Sequence, residues 1–203
     1  MHIHVASSYS LRFGVAPPAA LAERAAVLGM ETLALTDRDG LYGAVRHVRA
    51  CADAGIGAVV GADLRVASTG EERVVVLAEG RAGWRSLCRL VTAAHAAGER
   101  GRPLVTREMV GAHAEGLIVL LGPASDVGRA LTGRRPDVAA ARLAAWRATA
   151  ETVIEIVDHR DRATARGRRG CSRSPARPAC PPCSATPSAT WTRRTTRSRR
   201  SWT

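Results

Sequence analysis

Acidic and basic side chains that could do chemistry lie together in residues 36–43, which read Thr-Asp-Arg-Asp-Gly-Leu-Tyr-Gly. This stretch follows the apolar run 32–35 and precedes a helical pattern over residues 44–54. In α/β proteins, the end of a strand holds side chains rigidly at the mouth of a sheet or barrel. Two carboxylates placed there, Asp37 and Asp39, could hold a metal ion or a proton. The alternative is that one of them caps the helix that follows.

The elements that would position this stretch alternate along the chain. Apolar runs predict strands at residues 2–7, 31–36, 57–67, 73–78, 116–121 and 152–157. Helical periodicity, with prolines at one start and glycines at several ends, predicts helices at residues 17–28, 44–54, 84–97, 106–113 and 138–150. Such alternation predicts an α/β fold built on a parallel sheet or a nearly complete barrel. His47, His95 and His113 fall in predicted helices and are expected to be surface or capping residues.

The net charge of +12 is concentrated at one end of the 203-residue chain. Residues 163–203 contain ten arginines and no acid, so residues 1–162 carry only +2. We therefore divide the chain into an α/β domain, 1–162, and an Arg/Pro/Ser/Thr-rich tail, 163–203, predicted to be disordered. The Cys180-Pro-Pro-Cys183 pattern in the tail does not predict a zinc site, because zinc needs four ligands and the tail adds only Cys171.

The composition of the tail suggests that it is read out of frame. The chain contains no Lys, Asn or Gln and abundant Arg, which indicates a gene of very high GC content. One back-translation of the tail with GC-rich codons, read one base earlier, gives a helix, a buried strand and a polar turn. We interpret this as a frameshift near residues 161–168 that truncates the globular domain.

Features that the sequence lacks predict the compartment of the protein and argue against some classes of partner. There is no basic, apolar leader at the N-terminus, and no apolar stretch reaches the roughly 18 residues of a membrane span. The expected location is the cytoplasm, with no membrane partner. An aromatic content of 3% argues against platforms that stack the bases of single-stranded nucleic acid.

Several segments, taken together, resemble a known family. They are His-Val-Ala-Ser-Ser-Tyr-Ser at 4–10, Ala-Leu-Thr-Asp-Arg-Asp-Gly-Leu-Tyr-Gly-Ala-Val at 34–45 and Val-Gly-Ala-Asp-Leu at 60–64, supported by residues 95–103 and 116–122. They resemble the PHP (polymerase and histidinol phosphatase) domain at the N-terminus of the bacterial DNA polymerase III alpha subunit, error-prone type. The resemblance covers about residues 2–160. It implies a distorted seven-stranded β/α barrel, incomplete here, whose family members hydrolyse phosphate esters with a metal cluster at the strand ends.

The resemblance also implies that the metal site is degenerate. His4 matches the first histidine of the family's His-x-His, but Ala6 replaces the second; Arg38 replaces the histidine of Thr-Asp-His, and an arginine cannot ligate a metal. Asp63 is shorter than the family's glutamate, and Gly122 stands where a Cys or His is common. We expect no catalytic residues and no bound cofactor, with Arg38 paired to Asp37, Asp39 or Asp63. The vestigial metal positions are His4, Asp37, Asp63 and His159; hydrogen-bonded structural roles for His4, Asp63 and His159 are the alternative.

Three functions remain open from the sequence. The first is a structural PHP fragment of an error-prone polymerase, whose partners in the parent protein are DNA and accessory subunits and whose polymerase active site lies elsewhere. The second is a stand-alone PHP phosphoesterase or 3′–5′ exonuclease that uses Zn or Mn/Mg held by His2, His4, Asp37, Asp63 and His159. The third is a nucleic-acid-binding protein acting through the basic tail, whose affinity would fall steeply with salt.

Overall fold

The fold is taken from a computed structural model, which describes residues 2–67 and 71–157. His159 and the tail, and with them the predicted domain boundary and the frameshift, lie outside the described residues. Five strands run from Thr32–Arg38 (β1), Gly57–Arg65 (β2), Arg73–Ala78 (β3), Leu117–Leu121 (β4) and Glu151–Ile154 (β5). The helices are Pro18–Val27 (α1), Ala44–Asp53 (α2), Gly80–Ala97 (α3), Arg107–Ala112 (α4), Asp126–Thr132 (α5) and Pro136–Arg147 (α6).

Most predicted elements are present near their expected bounds. Two differ. The predicted first strand, 2–7, is not a regular strand. It makes one parallel bridge to β1, between His2 and Leu33, and its backbone carbonyls accept hydrogen bonds from N–H groups of β1. The short helix α5 was not predicted, although its N-cap signal is in the sequence: Ser125 accepts a hydrogen bond from Gly128 N–H, and Asp126 follows it in the first turn.

The fold is of the predicted α/β class, but its sheet is not parallel throughout, as the alternative of a parallel sheet had predicted. The described strands form one mixed sheet in the order β1-β2-β3-β4-β5, in which β1 and β2 are parallel, β4 and β5 are parallel, and β3 is antiparallel to both its neighbours. The reason is the length of the β2–β3 connection. Residues 66–72 are too few for the crossover of a dozen or more residues that a parallel pair needs. Five strands fit an incomplete α/β barrel of the expected class.

The buried apolar residues form two clusters in which helices pack against the sheet. The larger cluster joins the sheet to α3 and α6 through fully buried Leu87, Leu90 and Trp146. The smaller cluster packs α1 and α2 against the start of β1 and contains Leu33 and Cys51.

His47 is buried beside this smaller cluster, in contact with Leu33 and Cys51, contrary to the prediction of a surface or capping role. It is 0% exposed and donates from Nε2 to the Leu33 carbonyl at 3.1 Å. Burial lowers its pKa, so the ring is held as a neutral, hydrogen-bonded core group.

No helix within residues 2–67 and 71–157 is long and apolar enough to cross a membrane.

Candidate functional site

The charged residues of interest meet at one edge of the sheet. Because β1 and β2 are parallel, their C-terminal ends lie side by side, with Arg38 in register with Asp63. Because β3 runs antiparallel to β2, its first residue, Arg73, returns to the same edge opposite Arg65. The edge therefore receives side chains from the ends of two strands and the start of a third.

Arg73 is the most buried cation at this edge, with a side chain that is 9% exposed. Its Nε donates to Asp63 Oδ1 at 2.9 Å, and one terminal nitrogen donates to the Asp63 carbonyl at 2.6 Å and to Asp39 Oδ1 at 2.9 Å. Burial alone lowers the pKa of Arg73, but the two carboxylates outweigh burial and raise it. Arg73 is thus a permanent positive charge fixed between Asp39 and Asp63.

Arg38 approaches Asp63 from the other side. Its Nε lies 3.3 Å from Asp63 Oδ2, and its guanidinium carbon lies 3.3 Å from the centroid of the Phe13 ring. Burial, followed by the positive charge of Arg73, lowers the pKa of Arg38. Of the three pairings expected for Arg38, the structure shows the one with Asp63.

The backbone of Asp39 adopts a conformation that is rare for residues other than glycine. Its φ is +56°, in the left-handed region that Asp tolerates better than most residues. The turn is held by its own backbone, since Asp39 N–H donates to the Asp63 carbonyl at 2.9 Å and the Asp39 carbonyl accepts from His95 Nε2 at 2.7 Å. His95 is exposed, as predicted for a surface residue, but it also ties α3 to this turn.

Asp37 is not part of the ion-pair cluster, although the sequence predicts it to belong to the site. Its carboxylate is 2% exposed and accepts hydrogen bonds from the backbone and hydroxyl of Ser7 and from the hydroxyl of Ser10, at 2.7 to 2.9 Å. A Cβ on Gly43 would lie 2.6 Å from Asp37 Oδ2, so the glycine is required for this close packing. Asp37 therefore anchors the loop that follows the N-terminal segment.

His4 pairs with a residue that the sequence did not single out. His4 Nδ1–H donates to the two oxygens of the Glu155 carboxylate at 3.0 and 3.2 Å. This hydrogen bond, opposed by burial, raises the pKa of His4. Gly122 makes room for the pair, because a Cβ at that position would collide with Glu155 Oε2. Glu155 thus occupies the space that a larger side chain at position 122 would take.

A model of the PHP domain matches residues 2–159 of the chain, which include all of the described residues. The chain belongs to the PHP domain family. Among curated relatives, it is 46% identical over 110 residues to an error-prone DNA polymerase of Mycobacterium tuberculosis, a match that covers 50% of this chain and 10% of the relative. It is 37% identical over 156 residues to that of Mycolicibacterium paratuberculosis, with 70% of this chain and 14% of the relative covered.

A third relative is the DNA polymerase III subunit alpha of Treponema pallidum, 36% identical over 132 residues that cover 59% of this chain and 11% of the relative. The PHP chain described here therefore spans about a tenth of the length of the relatives it matches.

Solved structures agree on the fold. An amidohydrolase from Chromobacterium violaceum with bound sulfate and no metal superposes with a TM-score of 0.56 at 18% identity, over 76% of this chain and 75% of that one. A putative metal-dependent phosphoesterase from Bifidobacterium adolescentis gives a TM-score of 0.51 at 15% identity, over 83% of both chains. Identities this low support the shared fold alone.

The side chains at the sheet edge do not fit the metals, Zn or Mn/Mg, that the PHP family implies. Both oxygens of Asp63 face guanidinium groups, and Asp39 faces the same Arg73. A divalent ion would have to displace these permanent cations or be repelled by them. Within residues 2–67 and 71–157, no group of three or more His, Cys, Asp and Glu side chains stands close enough together to hold a metal ion.

The structure separates the predicted site residues into three places. Asp63 joins Arg38 in the ion-pair cluster, Asp37 supports the N-terminal loop, and His4 binds Glu155, while His159 lies outside the described residues. Ala6 carries no functional group, so the position of the family's second histidine offers no ligand. Sequence reasoning missed Arg73 and Glu155. The signal for Arg73 was a charged residue opening an otherwise apolar strand.

Proposed function

We propose that this chain is a non-hydrolytic PHP domain of an error-prone polymerase lineage, which supports the architecture of a larger polymerase rather than cleaving phosphate esters. The observation that carries the proposal is Arg73, bound to both Asp63 and Asp39 at 2.9 Å. The second support is the set of error-prone polymerases that match this domain.

The chemistry of the guanidinium group explains why the site would be structural. Hydrolysis in the family uses a metal to activate water and to neutralise phosphate charge. Arg38 and Arg73 supply positive charge to Asp63, so they satisfy a buried carboxylate without a metal. They provide no open coordination position, and they cannot accept a proton from water. The ion pairs thus preserve the strand-end geometry while removing the means of hydrolysis.

We infer that the partners of the parent protein are DNA and polymerase accessory subunits and that its location is the cytoplasm. We also infer that the tail is read out of frame, which sequencing of the gene would test directly. A reading frame that encodes residues 163–203 in phase with residues 1–162, with no GC-rich alternative frame, would contradict that interpretation.

The proposed function is tested by metal content and hydrolysis on the same folded, full-length sample. We expect elemental analysis to find no stoichiometric Zn or Mn. With Mn²⁺ added, we expect no hydrolysis of bis(4-nitrophenyl) phosphate and no 3′–5′ degradation of single-stranded DNA. Two or more metal ions per chain, or hydrolysis lost on replacing Asp63 with asparagine, would contradict the proposal and support the stand-alone phosphoesterase.

A matched variant makes this test sharper. Replacing Ala6 and Arg38 together with histidine restores the two imidazoles that the family pattern places there. If loss of ligands is the reason for inactivity, this double variant should bind more Zn or Mn than the wild-type chain. Equal metal content in the two proteins would show that Arg73, rather than the missing histidines, is the decisive obstacle.

A further inference from the structure

The outer edge of β5 has no strand beside it in the part of the chain that the structure describes. β5 is the last strand in the order of the sheet, and among the described residues it pairs only with β4. Glu155 N–H donates to the Leu121 carbonyl at 3.1 Å, so the backbone groups of Glu155 point toward β4. Because successive residues of a strand point their backbone groups to alternate sides, those of Thr152, Ile154 and Ile156 point outward.

These outward groups form a row of donors and acceptors on which a further strand can pair. Soluble proteins commonly block such an edge with lysine or proline. Residues 151–157 read Glu-Thr-Val-Ile-Glu-Ile-Val and contain neither. Val153 is 46% exposed and Ile156 is 44% exposed, so the edge also presents apolar surface. The edge therefore has the properties of an interaction surface for an extended strand.

The sequence that follows β5 does not carry the pattern of a further strand. Residues 158–162 are all polar, and residues 163–203 contain five prolines, ten arginines and no alternating or continuous apolar run. Proline cannot donate to a strand pair, and strands are built from runs of apolar and β-branched residues. The sequence thus favours a partner strand from outside this chain.

A second copy of β5 complements this edge when the two strands run antiparallel. With Ile154 opposite Ile154 of the second copy, the outward groups of Thr152 face those of Ile156, and each pair can exchange N–H to carbonyl hydrogen bonds. A two-fold axis then relates the two copies, so each gives and receives the same contacts.

The charges on β5 select this register. Centred on Ile154, the pairing sets Val153 opposite Glu155 of the second copy, and no carboxylate lies directly opposite another. Centred one residue earlier, it would set Glu151 opposite Glu155, and like charges in direct opposition destabilise a strand pair. The sequence of the edge is therefore self-complementary in one register.

We propose that the outer edge of β5 is a dimerisation surface, at which two copies of this chain join their sheets through an antiparallel β5–β5 pair. The inference goes beyond the proposed function and does not depend on it. The residues that pair lie outside the ion-pair cluster of Arg38, Asp39, Asp63 and Arg73.

Sedimentation velocity of the full-length chain over a range of concentrations measures the dimer. A reducing agent is present, so that the cysteines of residues 163–203 cannot link two chains. We expect a reversible monomer–dimer equilibrium with a Kd of about 10 µM. Ile154→Pro removes an outward N–H from each copy and should weaken dimerisation about tenfold or more. Val15→Ser, which removes an apolar side chain that is 93% exposed in the loop before α1, is the control and should leave the Kd unchanged.

A second variant and a second measurement keep the test independent of folding. Ile156→Pro changes a residue beyond the end of β5 and should also weaken the dimer. In hydrogen exchange, the outward amides of Thr152, Ile154 and Ile156 should become more protected as the wild-type concentration rises. The amides of Val153 and Glu155, which face β4, should stay protected at every concentration and in the Ile156→Pro variant.

Three results would overturn the inference. The first is a wild-type chain that stays monomeric at every concentration. The second is a dimer that Ile156→Pro weakens no more than Val15→Ser does. The third is protection of the outward amides that does not change with concentration, because the edge would then be covered by the same chain. Metal content and hydrolysis, which test the proposed function, have no bearing on any of these results.

Discussion

Replacing Arg73 with methionine should destabilise the domain more than any other single change at the sheet edge. The Asp63 side chain is only 7% exposed and Asp39 is 26% exposed, so both carboxylates would lose their best cation with little access to water. Removing one partner of a buried ion pair costs about 3–5 kcal/mol. Because Arg38 still faces Asp63, we expect the lower end of that range, about 3 kcal/mol.

The matched comparison is Arg38→Met, which removes a half-buried partner of the same carboxylate. An ion pair this exposed contributes up to about 1 kcal/mol, so its loss should cost far less than that of Arg73. The free energy of unfolding of each variant is measured by urea denaturation followed by circular dichroism. Equal costs for the two variants, or a cost below about 1 kcal/mol for Arg73→Met, would refute the view that Arg73 holds the edge together.

Three other predictions concern neighbouring groups. Because Glu155 raises the pKa of His4, their pair should stabilise the fold below the unfolded pKa of about 6.5, and this contribution should disappear as pH rises through the higher folded pKa. Glu155→Gln should therefore cost more stability at pH 6 than at pH 9 in thermal unfolding; an equal cost would contradict the ion pair. Gly122→Ala should displace Glu155 and remove most of this pH dependence, which the same unfolding series would show. Trp146→Phe should cost about 1–3 kcal/mol in urea denaturation, because Asp126 Oδ1 loses the indole N–H donor at 3.0 Å; a loss below about 0.5 kcal/mol would contradict it.

The order of strands and helices was predictable because each element carries a local signal. Periodicity placed α3 from its buried leucines, and the apolar run 117–121 placed β4. Strand direction was not predictable in this way, because it depends on which strands become neighbours and on the length of the connection between them. The shortness of residues 66–72 was visible in the sequence, but it has meaning only once β2 and β3 are known to be neighbours.

The site was predictable in part for a related reason. The pairing of Arg38 with Asp63 was among the options expected from the resemblance, and the parallel register of β1 and β2 places the two residues side by side. Arg73 was missed because it comes from the antiparallel strand, and its role depends on that reversal of direction. Glu155 was missed because its partner, His4, is at the far end of the chain, and no local pattern relates positions so distant.

The β2–β3 hairpin also has a consequence for the way the chain folds. Its strands are joined by residues 66–72, whereas β1 and β2 meet only after one intervening helix is placed, and β4 and β5 only after two. Short loops close early, since their entropy cost is small and contacts near in sequence form fastest. The hairpin carries Asp63 and Arg73, so their bond can form within it before β1 docks. Asp39 and Arg38 would then arrive at an edge whose central charge pair already exists, and pulse-labelled hydrogen exchange should protect β2 and β3 ahead of β1.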